Sequence, residues 1–209
     1  MASMISRREA IRRAAAVTAA STLTAQTVAQ TSQARYENLN AAEARTLEAM
    51  VGRLIPSDER GPGAIEAGAN RYIDRALGGA LSSAREPYRQ GLAALEVYAR
   101  ERQGQSFSEL EPEQQDLVLA ELEANRATGF NPDSESFFAL VLEHTLQGTF
   151  SDPAYGGNRD FVGWELLGYP GLRLAVGPAQ QAMTADTQLT RLSAYDMPMF
   201  DTDDAPDDD

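Results

Sequence analysis

An all-α fold is predicted by three observations. Apolar residues recur at i, i+3, i+4 and i+7 in successive windows, no stretch keeps the period-two alternation of a strand, and the periodic windows are bounded by caps, Gly or Pro. With 209 residues and 43% hydrophobic residues, the chain can bury one real core. The expectation is a compact helical domain of about five helices with short connections, followed by an irregular Gly/aromatic C-terminal segment.

The first helix begins at Asn40, which can cap it, with Glu43 three residues on as the reciprocal partner. Leu47, Met50, Val51 and Leu54 form its apolar face, and Pro56 ends it. Gly61-Pro62-Gly63 marks a turn-rich loop. A second helix is expected over Ala64 to Leu77, with Ile65, Ala69, Tyr72, Ile73 and Leu77 inward and Gly78-Gly79 as its stop. A third spans Ala84 to Arg102 and turns Tyr88, Leu92, Leu95 and Ala99 inward, with Gly104 beyond its end. Phe107 and Leu110 anchor the connection, and Pro112 suits a first helical turn. Leu117, Val118 and Leu122 give the fourth helix its face, closing near Gly129. Asn131 to Ser134 cap a fifth, Phe137 to Leu146, which is apolar on most sides and therefore expected to be central.

Beyond this helix the character changes. Gly148 to Gly171 holds six of the 16 glycines, together with Phe150, Tyr155, Phe161, Tyr169 and the only tryptophan, Trp164. Glycine permits unusual backbone angles and close approach, and aromatic rings supply large contact area. The helical domain is placed at 36–195. Residues 196–209, with seven Asp, are expected to form an acidic disordered tail.

Residues 1–30 read as an export signal rather than as part of the fold. Ser6-Arg7-Arg8-Glu9-Ala10-Ile11-Arg12-Arg13 is a basic head, followed by an uncharged Ala/Thr-rich tract to Ala29. That tract is too polar for a stable membrane-spanning helix. Arg7 and Arg8 resemble the twin-arginine motif, whose pathway carries folded proteins, although Ala10 and Ile11 stand where that pattern usually has Phe and Leu. Cleavage after Ala25, Ala29 or Ala34 fits the small residues there. Residues 1–29 carry four Arg and one Glu, so their removal takes the formal charge from −13 to −16. Such a chain is no binder of nucleic-acid phosphates.

All 18 basic residues are Arg. Schiff-base chemistry and a P-loop lysine are thus excluded within the chain. The absence of Cys removes thiolate chemistry, disulfides, haem attachment and iron–sulfur ligation. His144 is the only histidine; lying mid-helix, it reads as a hydrogen-bonded core or interface residue rather than a catalytic base. Glu143 and Asp152 are near it in sequence but lack metal-ligand spacing. Carboxylate pairs such as Asp58 with Glu59, or Asp116 with Glu121, are expected by chance among 31 acidic residues. No catalytic, cofactor-binding or metal-binding residue is assigned.

Three segments together resemble the gluconate 2-dehydrogenase subunit 3 family, the small subunits of membrane-associated sugar dehydrogenase complexes. They are Arg7-Arg8; Leu54-Ile55-Pro56-Ser57-Asp58 with Gly61-Pro62-Gly63-Ala64; and Gly148 to Asn158, followed by Gly163-Trp164 and Gly168-Tyr169-Pro170-Gly171. YGGN, GW and GYPG in this order are the most specific part, and Thr149 replaces the aromatic that often follows the first glycine. The resemblance covers roughly residues 38 to 175. It implies a non-catalytic subunit whose partner is an FAD-containing flavoprotein of the glucose–methanol–choline type, often with a multihaem cytochrome c as a third subunit. It further implies periplasmic location and co-export of the folded flavoprotein by the twin-arginine translocase.

Within that resemblance, partner binding is expected from Tyr155, Gly156, Gly157, Asn158, Trp164, Tyr169, Pro170 and Gly171, the rings acting as anchors and the glycines and Asn158 shaping turns. The same segment can instead wrap the helical core of its own domain, and the two roles are compatible. Two other classes stand against the subunit reading: an independent enzyme using His144 and a carboxylate, and a free-standing periplasmic binding protein.

Overall fold

A computed structural model describes residues 36–173, 175–182 and 190–197. The expected signal, residues 1–30, and nearly all of the expected tail, residues 196–209, lie outside the described residues. Among the described residues there are seven helices and no strand, so the domain is all-α, as the periodicity predicts. Five helices are long: α1 Ala41–Leu54, α2 Ala69–Leu77, α3 Arg85–Gln103, α4 Pro112–Glu123 and α5 Ser134–Phe150. Two are short, α6 Val162–Leu167 and α7 Pro178–Gln181. None of them is long and apolar enough to cross a membrane.

The capping box of α1 is present. Asn40 Oδ1 accepts the amides of Ala42 and Glu43 at 2.9 and 3.0 Å, and Glu43 accepts the Asn40 amide at 2.9 Å. Immediately before it, the chain is pinned to α2. The buried Asp74 carboxylate accepts the amides of Glu37, Asn38 and Leu39 at 2.7, 2.9 and 2.9 Å. Three charge-assisted bonds thus order the first described turn.

Helix α2 is shorter than its periodicity predicts. Gly68 adopts a left-handed conformation (φ 79°), so residues 64–68 form a separate turn and the helix starts at Ala69. Apolar spacing across 64–77 is continuous, but spacing does not record the handedness of one glycine. Helix α3 matches its predicted face, with Tyr88, Leu92, Leu95 and Ala99 buried and Gly104 left-handed at its end. In α4 the inward set is Val118, Leu119 and Leu122, whereas Leu117 is 62% exposed. The helix also ends at Glu123, well before Gly129, where Asn125 takes a positive φ of 54°.

Helix α5 is the central element and packs against α1, α2, α3, α4 and α6. It runs to Phe150, a full turn past its expected end, because Gly148 and Thr149 are needed inside the packing rather than in a loop. Two glycines allow its close approach. A Cβ at Gly91 of α3 would lie 2.1 Å from the Phe137 ring, and one at Gly148 would lie 2.8 Å from Ala69 Cα of α2. Thr145 and Thr149 return their buried hydroxyls to the carbonyls of Val141 and Thr145, both at 2.7 Å, so neither hydroxyl is left unpaired.

Candidate functional site

The Gly/aromatic segment starts where α5 ends and folds back over it. Asp152 caps a short 3-10 turn, Pro153–Tyr155, by accepting the Ala154 amide at 2.9 Å. Gly156 then turns the chain with φ 90° and lies so close to the Arg75 guanidinium that a Cβ there would sit 2.3 Å from Nη1. Gly157 needs no unusual angle; it is small because a Cβ would fall 2.1 Å from the Gly148 carbonyl oxygen. That same oxygen accepts the Asn158 amide at 2.7 Å.

Asn158 is fully buried and organises the rest. Its Nδ2 donates to the Ser151 carbonyl at 2.9 Å, and its Oδ1 accepts the Gly163 amide at 2.7 Å. It sits at φ 41°, a left-handed conformation that Asn tolerates better than most side chains. Gly163 packs against the end of α5, where a Cβ would be 1.9 Å from the Thr149 carbonyl oxygen. Trp164, only 6% exposed, donates its indole N–H to the Phe150 carbonyl at 2.9 Å and lies between the rings of Phe161 and Tyr169. Helix α6 closes with a left-handed Gly168. The Gly168 amide donates to Glu165 and the Tyr169 amide to Trp164, which is the Schellman pattern.

Two sequence segments that lie about ninety residues apart meet here. The Arg159 amide donates to the Ala67 carbonyl at 2.8 Å and its guanidinium to the Glu66 carbonyl at 2.8 Å. Leu166 reaches toward the Gly61 turn, where a Cβ added at Gly61 would lie 3.4 Å from Leu166 Cδ1. The Gly61-Pro62-Gly63-Ala64 turn and the Tyr155–Gly171 segment therefore form one continuous region.

The eight expected binding residues divide by exposure. Tyr155 and Tyr169 are 57% and 43% exposed, whereas Trp164, Asn158, Gly157 and Gly171 are buried within the chain itself. Pro170 offers its carbonyl to Thr190, and Gly171 takes φ 85° directly under the Thr190 carbonyl. The segment thus does wrap its own core, and it carries exposed rings on its outer side. Among the described residues, seven of the ten exposed large hydrophobics follow Phe150 in sequence, four of them within this segment, including Leu166 and Leu167, with Leu192 and Tyr195 further on. Leu166 and Leu167 escape sequence reasoning because a six-residue helix shows no periodicity. Asp152 before Pro153 carries the local signal of an Asx turn, but nothing local marks it as the acceptor of Ser193.

His144 is buried between helices. Its Nδ1 lies 3.1 Å from the Tyr88 hydroxyl and its ring stacks on that of Tyr88 at 5.8 Å. Burial lowers its pKa below the usual histidine value, against a smaller opposing pull from Glu143. The neutral imidazole is a core hydrogen-bonding group. Among the described residues, no group of three or more His, Asp or Glu is arranged to hold a metal ion. A surface cleft of 520 Å³ between the first described turn and α3 is lined by charges already engaged, Arg85 with Asn38 and Arg89 with Glu86.

The family model described as Gluconate 2-dehydrogenase subunit 3 matches residues 41–171. The chain belongs to this family. The match opens at the first residue of α1 and closes at Gly171, so it takes in all five long helices and the Gly/aromatic segment. Membership makes the chain a subunit of a dehydrogenase complex. Comparison with curated proteins returns no match. Comparison with solved structures returns none either.

Proposed function

We propose that this subunit is the non-catalytic small chain of a periplasmic, FAD-dependent sugar or alcohol dehydrogenase of the glucose–methanol–choline type. It binds and stabilises the flavoprotein subunit and is exported with it through the twin-arginine pathway, by way of Arg7 and Arg8. FAD belongs to the partner. A multihaem cytochrome c subunit receives the electrons and associates the complex with the membrane.

The observation that carries this reading is the clustering of exposed apolar side chains on the Gly/aromatic segment and its surroundings. Contiguous apolar surface on a folded domain marks an interaction site. Tyr155 and Tyr169 are the rings available to a partner; Trp164, Asn158, Gly156, Gly157, Pro170 and Gly171 hold them in place from beneath. Rigid aromatic anchors of this kind dominate interface energetics.

The test is affinity purification of the tagged full-length chain from its native host, followed by an absorbance spectrum. A stoichiometric yellow partner with flavin bands is expected, and its yield falls in the Tyr155→Ala, Tyr169→Ala double variant. A colourless chain purified without a flavoprotein overturns the reading. Replacing Arg7 and Arg8 by Lys is expected to leave both subunits in the cytoplasm; export of the flavoprotein without this chain refutes co-export.

A further inference from the structure

The exposed apolar surface is not made by the family-matched residues alone. Leu192 and Tyr195, 41% and 57% exposed, also contribute, and they arrive on a strap, residues 190–196, that lies beyond the matched region. Polar bonds tie the strap to the body at several points along its length. The Thr190 amide and hydroxyl both donate to the Pro170 carbonyl, at 2.8 and 2.9 Å, and Arg191 pairs with Glu165. Ser193 Oγ donates to Asp152 Oδ1 at 2.5 Å, and the Ala194 amide donates to Asp152 Oδ2 at 2.8 Å.

The orientation of the strap decides its role. A cover would turn its apolar side chains inward, onto the surface it hides. Here the polar groups face the body, and Tyr195 stands edge-on to Tyr155, ring centroids 6.1 Å apart, with both rings exposed. The strap extends the apolar surface.

We infer that Asp152 is a positioning residue whose carboxylate clasps this strap, so that Leu192 and Tyr195 join Tyr155 and Tyr169 in one partner-binding surface. The inference rests on the subunit reading above. It explains why a carboxylate is present rather than an amide. Three donors converge on the side chain, Ala154 N and Ser193 Oγ on Oδ1 and Ala194 N on Oδ2. Asn caps a turn as well as Asp does, so it would keep the bond to Ala154. Its NH₂ group cannot accept from the Ala194 amide. Asp152→Asn therefore separates the clasp from the cap.

The experiment uses the full-length chain, free and in the complex purified from the native host. Hydrogen exchange at the Ala194 and Tyr195 amides is expected to accelerate about tenfold or more in Asp152→Asn, the equivalent of one lost charge-assisted bond. Exchange in α1 to α5 stays at the wild-type rate. Dissociation of the flavoprotein accelerates by a similar factor, and Ser193→Ala moves both readouts in the same direction. Unchanged exchange at Ala194 overturns the clasp. A freed strap with wild-type dissociation overturns the role of the strap in binding, while the intact wild-type complex leaves the subunit reading standing. If the wild-type chain yields no flavin-bearing partner, the subunit reading falls and this inference falls with it.

Discussion

Gly157→Ala is the sharpest probe of how the Gly/aromatic segment is held. The backbone angle at Gly157 is one that alanine adopts freely, so any effect comes from close approach alone. The added Cβ would lie 2.1 Å from the Gly148 carbonyl oxygen, 2.8 Å from its carbonyl carbon and 2.9 Å from its Cα. All three are backbone atoms in the last turn of a buried helix, and none can rotate away. Real Cβ contacts stay beyond 3.0 Å, so the segment must lift by about 0.9 Å. The Asn158 amide bond to Gly148, now 2.7 Å, then stretches beyond hydrogen-bonding range. A buried amide loses its partner, which costs about 1–3 kcal/mol, and residual overpacking adds a comparable amount. A total of about 3 kcal/mol corresponds to a fall in Tm of roughly 6–12 °C for a chain of this size. Gly79→Ala is the matched control, since nothing lies within 4 Å of its added Cβ. Thermal melts of both variants beside the wild type provide the assay. A Gly157→Ala melt within about 2 °C of wild type, with the Asn158 amide still protected from exchange, would falsify the close-approach argument.

The remaining predictions concern the core, its one histidine and its one tryptophan. Leu122→Ala, at a fully buried position, is expected to lose about 2–5 kcal/mol in urea denaturation, whereas Leu117→Ser stays within about 0.5 kcal/mol of wild type; equal effects would contradict the observed face of α4. His144 has a folded-state pKa lowered by burial, so the unfolded chain binds the proton more readily. Its contribution is complete above the ordinary histidine value and is lost as pH falls through that value toward the lowered one. Stability measured between about pH 7 and 5.5 should decline toward acid, and His144→Gln should flatten that slope; an unchanged slope refutes the assignment. Trp164→Phe keeps a ring between Phe161 and Tyr169 but leaves the Phe150 carbonyl without its donor, a loss of about 1–2 kcal/mol. Because Trp164 is the only tryptophan and is buried, wild-type fluorescence should be poorly quenched by iodide; full quenching in the folded state would show the indole to be exposed.

Much of this molecule is determined by local sequence. The Asn40–Glu43 capping box, Pro112 at a first turn, left-handed Gly104 and the inward rows of α1 and α3 follow from side-chain chemistry that acts over three or four residues. Periodicity therefore suffices for the helical class, and YGGN, GW and GYPG suffice for the family. Tertiary structure alone decides what depends on distant partners. Gly68 breaks an apolar pattern that continues past it, because the chain must turn there to meet Arg159. Leu117 and Leu119 are equally apolar, and only the packing of α4 against α1 and α5 selects which of them is buried. Within the Gly/aromatic segment, composition shows that glycines and rings serve contact, but not whose contact. The fold divides them, turning Trp164 and Asn158 onto the end of α5 and leaving Tyr155 and Tyr169 outward. The clasp of Asp152 on Ser193 joins residues forty-one positions apart, a separation that no local pattern encodes.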